Sequence, residues 1–150
     1  MGLAYSIDNA IEPLRRLANF AGAPLWDLAA RLFVANAFFK SGMVRFNAWR
    51  NGDFESQIFL FELEHPVPGL DPELAAYITT GAEVVLPVLL ALGLFGRFAA
   101  AGLLIMTAVI EFTYGHFAVH ILWAFLAASI FIKGPGALSL DNLLVKFIRK

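Results

Sequence analysis

The chain has 150 residues, enough for one domain, and a formal net charge of −1. Hydrophobic residues make up 59% and charged residues 15%, against about a quarter charged in soluble domains, which points to a membrane protein. The absence of cysteine excludes disulfides, CxxC redox chemistry and thiolate ligands from this chain, and no interleaving of basic and aromatic residues supports nucleic-acid binding.

Residues 6–21, SIDNAIEPLRRLANFA, are amphipathic. Ile7, Ile11, Leu14 and Leu17 fall on one helical face; Asp8, Glu12, Arg15, Arg16 and Asn19 fall on the other. Modest hydrophobicity with two arginines suits a helix lying in the membrane interface, the alternative being a soluble helix packed on a partner domain. Pro13 marks its start or a kink, and Ala23-Pro24 is expected to end it. No Lys or Arg precedes the first apolar run, so the pattern is not that of a cleaved signal peptide.

The first span is expected at about 25–46. Asp27 and Arg31 are spaced to form a structural ion pair at the interface, and Arg31 can also snorkel. Asn36, Lys40, Met43 and Asn47 share a second face, and Lys40 lies deep enough to call for a buried partner. Residues 47–74 form the one long connection. Its segment FESQIFLFELEH is too short to span, so it lies in the interface or re-enters as a lid. Pro66 and Pro68 favour extended chain. Asp71-Pro72-Glu73 is a helix-start signal, with an N-cap, a proline at the first helical position and an acid in the first turn.

The second span, 75–94, is AAYITTGAEVVLPVLLALGL. Its twenty residues match the roughly 30 Å hydrocarbon core. Glu83 is its one ionisable group, and a carboxylate at that depth must face protein or water. Pro87 frees the Glu83 carbonyl and bends the helix there. GLFGR, 93–97, is a tight turn into a third span at 98–114, with Thr107, Glu111 and Tyr114 on one face. After Gly115, a fourth span at 116–132 carries His116, His120, Trp123 and Ala127 on one face. KGPG, 133–136, ends it, and Ser139 caps a last amphipathic helix that lies on the membrane surface.

The expected fold is therefore all-α: one integral membrane four-helix bundle with N- and C-terminal interfacial amphipathic helices. Four spans put both termini on one side. That side, with the turn between spans two and three, holds Arg15, Arg16, Arg97, Lys133, Lys146, Arg149 and Lys150. The other side holds Arg45 and Arg50 against Asp53, Glu55, Glu62, Glu64, Asp71 and Glu73. The positive-inside rule places both termini in the cytoplasm. His65, His116, His120 and Glu111 then gather at the outer side, and Lys40 and Glu83 lie roughly 9 and 12 Å below the outer boundary.

Lys40–Glu83 reads as a structural tie between spans one and two, or as a proton relay or quinone-headgroup site with Tyr114 and Trp123 beside it. His116 and His120, one helical turn apart, are either capping and interface residues or, with Glu111 and His65, ligands for a divalent metal. No Ser/His/Asp array, P-loop or GxGxxG is visible, so hydrolase and nucleotide chemistry have no support.

AARLFVANAFFKSGMVRFNAW, AAYITTGAEVVLPVLLALGLFGRFAAAGLLIMT and HILWAFLAASIFIKGPGALSLDNLL together resemble the DoxX family of small four-helix bacterial membrane proteins, over about residues 28–144. Phe39 to Arg45 with Ser41-Gly42, the spacing Glu83…Gly93…Arg97, and Gly134-Pro135-Gly136 before Ser139-Leu140-Asp141 carry it. Arg45 stands where family members more often have Lys. The resemblance implies an accessory subunit of a quinone-linked redox complex, itself at most an oxidoreductase subunit. Members of a subgroup with a similar loop at Phe61 to Pro66 and an H-x-x-W at His120 to Trp123 are often encoded beside enzymes that modify copper-binding peptides, which implies a metal-homeostasis or peptide-export partner instead. A non-catalytic assembly scaffold is the third alternative. Expected partners are the bilayer, other membrane or redox proteins and a second copy of the chain.

Overall fold

The computed structural model describes residues 2–64, 66–113 and 115–149, and these are helical wherever they are regular. His65 and Tyr114, both singled out above, lie outside the described residues. The helices are α1 (Gly2–Leu17), α2 (Ala23–Arg50), α3 (Phe54–Leu63), α4 (Pro72–Leu92), α5 (Gly96–Thr113), α6 (Ala118–Lys133) and α7 (Leu140–Ile148).

The first correction concerns Ala23-Pro24, which does not end the first helix. A π-helical turn, Ala18–Gly22, joins α1 to α2 without a break. Pro24 has no N–H to offer the preceding turn. The wider π turn absorbs this: the Ala23 N–H reaches back five residues to the Ala18 carbonyl. The starts of α4 and α7 are as the sequence suggests. Asp71 accepts from the backbone N–H groups of Glu73 and Leu74 at 3.1 and 3.2 Å, and Ser139 accepts from the Asn142 N–H at 3.2 Å.

α2 packs mainly on α4 and α6, and α5 packs on α4 and α6. On α2 the inward stripe is Arg31, Val34, Phe38 and Ser41, then Arg45; on α4 it is Ala76, Thr80, Glu83, Pro87 and Leu90. Both stripes advance by alternating steps of three and four residues, the spacing of one helical face. Gly42 sits where the two helices cross. A Cβ there would come within 2.7 Å of the Glu83 carbonyl oxygen, so only glycine allows this approach. That carbonyl is the one Pro87 leaves without its intrahelical donor. The apolar core joins Val34, Phe38, Leu90, Ala99, Ala100, Leu103, Leu126 and Ile130.

α4 and α5 are each long and apolar enough to cross a membrane; α6 is apolar but shorter. α2 is long, but Asp27, Arg31, Lys40, Arg45 and Arg50 interrupt it. α3 makes a small second core instead of lying free: Phe54 and Phe61 pack with Ala75 and Ala76, flanked by Ile58, Val67 and Leu70.

Candidate functional site

Two buried polar centres lie at opposite ends of α2. The first is built on Arg31, which is fully buried. Its guanidinium donates to the carbonyls of Leu90 at 3.4 Å and Ala91 at 3.2 Å, and to that of Leu138. The C-terminus of α4 leaves just such carbonyls without helical partners, and a cation suits the negative end of the helix dipole. Gly93 ends α4 in the left-handed conformation, φ 66°, and a Cβ on it would collide with this guanidinium. Asp141 closes the arrangement: its carboxylate accepts from the N–H groups of Phe95 and Gly96, each at 2.8 Å, at the start of α5. Its own N–H donates to Gly93 at 2.9 Å. The expected Asp27–Arg31 ion pair is therefore not formed. Arg31 has no ion-pair partner within 4.0 Å among the described residues; unpaired carbonyls at a helix end compete for it.

The second centre surrounds a cavity of about 450 Å³ between α2, α4, α5 and α6, covered at one end by Phe61, Val67 and Leu70. Most of its wall is apolar. Its polar lining includes Ser41, Arg45, Thr79, Glu83 and His120. Two of its lining residues, Ile78 on α4 and Ile105 on α5, are 54% and 65% exposed. The cavity thus opens sideways between these helices, which meet more closely where Gly102 faces Leu86.

Glu83, 1% exposed, is paired with Arg45 and not with Lys40. Arg45 also donates to Ser41 Oγ at 2.9 Å, and its guanidinium lies 5.6 Å from the Phe61 ring centre, within cation–π range. Lys40 is exposed and has no hydrogen-bond or ion-pair partner among the described residues. Helical phase explains the exchange. Arg45 continues the inward stripe of Val34, Phe38 and Ser41, whereas Lys40 stands off it. Hydropathy placed Arg45 at a helix end and hid the pairing. Its spacing of four from Ser41 was the available signal.

Gly115, φ 149°, turns the chain between α5 and α6 and brings three predicted residues together. His116 Nδ1 lies 2.7 Å from Glu111 Oε1, and His120 Nδ1 lies 2.6 Å from Glu111 Oε2. An ionised carboxylate only accepts, so both rings carry their proton on Nδ1 and donate. His116 is open to solvent and His120 is buried: their side chains are 81% and 7% exposed. Helix α6 begins at Ala118, so His116 belongs to the turn and not to the helix expected to start there. The His120 ring lies 5.1 Å from that of Trp123 and 5.3 Å from that of Phe117, and Trp123 lies 5.3 Å from Phe38. Among the described residues, no group of three or more His, Asp or Glu side chains is placed to hold a metal ion.

The arrangement offers an apolar chamber with a guanidinium–carboxylate pair, a hydroxyl and an imidazole on its wall. Such a set can hold a neutral or weakly polar molecule, orient its oxygens and exchange protons with it. No curated protein and no solved structure matches the chain. The family model DoxX matches residues 26–121, which contain α4, α5, most of α2 and the first turn of α6. On that match the chain belongs to the DoxX family, and it is a small membrane-associated protein.

Proposed function

We propose that this is a four-span bacterial inner-membrane protein that serves as an accessory, quinone-binding subunit of a redox complex. The cavity carries this reading. It pairs a buried charged couple, Arg45–Glu83, with apolar walls and a side opening at Ile78 and Ile105. A carboxylate and guanidinium are costly beside hydrocarbon unless they serve each other or a ligand. A quinone headgroup has two carbonyl oxygens that accept hydrogen bonds, for which Arg45 and the Ser41 hydroxyl are candidate donors, and its tail suits an opening between membrane helices. α2, α4, α5 and α6 are the four spans, with α1 and α7 on the surface. The charge distribution supports termini in the cytoplasm and the cavity in the outer half.

The test is direct. The protein purified from membranes should carry extractable quinone, and the stripped protein should bind a short-chain benzoquinone or naphthoquinone analogue saturably. Glu83→Gln should weaken that binding at least about tenfold, or ~1.4 kcal/mol. Lys40→Met should leave it unchanged. A wild-type protein that neither carries quinone nor binds the analogue would end this reading.

A further inference from the structure

The three-residue cluster at the α5–α6 turn joins two environments that the fold otherwise separates. His116 has a solvent-exposed side chain, Glu111 is about a quarter exposed, and His120 is buried and lines the cavity. The two contacts are 2.7 and 2.6 Å, short enough for proton transfer without movement of heavy atoms. Neither imidazole Nε2 has a protein partner among the described residues, so each end of the series is open. Histidine is also the side chain whose ordinary pKa lies nearest neutrality.

We infer that His116, Glu111 and His120 form a proton relay between the aqueous phase and the cavity. His116 takes a proton at Nε2 from water and passes its Nδ1 proton to Glu111. The His120 ring, which rests with its proton on Nδ1, turns so that its bare Nε2 faces Glu111, and Glu111, now a neutral acid, donates to it. The resulting imidazolium releases its Nδ1 proton into the cavity, and in the next passage the ring turns back and accepts at Nδ1. One proton enters and one leaves, and no electrons move. Arg45 and Glu83 are the charged groups that share the cavity lining with His120, and they are the first groups the proton meets there. Glu111 is thus a shuttle and not merely a brace for His120. The relay stands whatever occupies the cavity.

The experiment follows exchange of the His120 ring N–H with water by nitrogen-15 NMR of the whole protein in micelles. Exchange in the wild type should be fast for so buried a ring. Glu111→Gln and His116→Ala should each slow it at least about tenfold. A bracing role gives the opposite signs: Glu111→Gln would loosen the ring and speed exchange, and His116→Ala would change nothing. Either of those results overturns the relay. His116 is on the surface, so His116→Ala decides the matter even if Glu111→Gln fails to fold.

Discussion

Arg31 and Arg45 stand on the same inward stripe of α2, and both are largely withdrawn from solvent. Around Arg31 the space is full. Three carbonyls receive its protons, Gly93 leaves room for nothing larger than hydrogen, and the segment from Leu138 to Asp141 closes over it. Around Arg45 the space is more open: one carboxylate and one hydroxyl receive it, the Phe61 ring lies against it, and it also lines the cavity. A buried charge on its own does not mark a site of chemistry. What separates the two is whether protein closes around the charge, as it does around Arg31 even though its Nε finds no partner among the described residues, or leaves a face for another molecule.

That contrast can be broken from either end. The largest effect is expected at the closed end. Arg31→Met would strand two carbonyls at the end of α4 and one in the segment before α7, at a cost of about 1–3 kcal/mol for each buried acceptor left without a partner. Thermal unfolding in detergent would read it, and Arg31→Lys should restore little, because an ammonium lacks the fork that serves Leu90, Ala91 and Leu138 together. Next comes Gly42→Ala. The added methyl would press on the Glu83 backbone and part α2 from α4, costing roughly 1–3 kcal/mol. It should weaken cavity binding as well as stability, whereas Arg31 variants that still fold should bind normally. Asp141→Ala removes a carboxylate cap from Phe95 and Gly96 and should cost about 1 kcal/mol with no effect on binding. The smallest effect is at Asp27. Asp27 is half-buried and makes no direct ion pair, but its charge acts on Arg31 through space, so Asp27→Asn should cost about 0.2–1 kcal/mol. No loss at all would mean that Arg31 does not feel the Asp27 charge.

Much of this arrangement was legible before any coordinates. The start of α4 follows from Asp71-Pro72-Glu73, because a carboxylate N-cap and a first-turn proline leave one local solution. Glu83 could be turned inward with assurance, since nothing else in 75–94 could offset its charge. Its partner was less accessible. Depth along the helix made Lys40 and Glu83 neighbours, but angular position decides contact, and only Arg45 has the right phase. Asp27–Arg31 failed for a different reason. Spacing of four shows that two side chains can meet, but not that a third group, the bare end of α4, competes for one of them. The π turn at Ala18–Gly22 was hidden because proline more often ends a helix than widens one.

The gap between Ile78 and Ile105 has a further consequence. With the helices placed in the bilayer as proposed, a molecule reaching the chamber by that route would not pass through bulk water, and its competitor for the space would be an acyl chain. Occupancy would follow the ligand's mole fraction among the lipids, and a weak preference over a lipid tail would suffice to fill it. Measurements of this protein in detergent and in bilayers of graded quinone content should therefore differ systematically, with the bilayer series collapsing onto one curve when plotted against quinone per lipid.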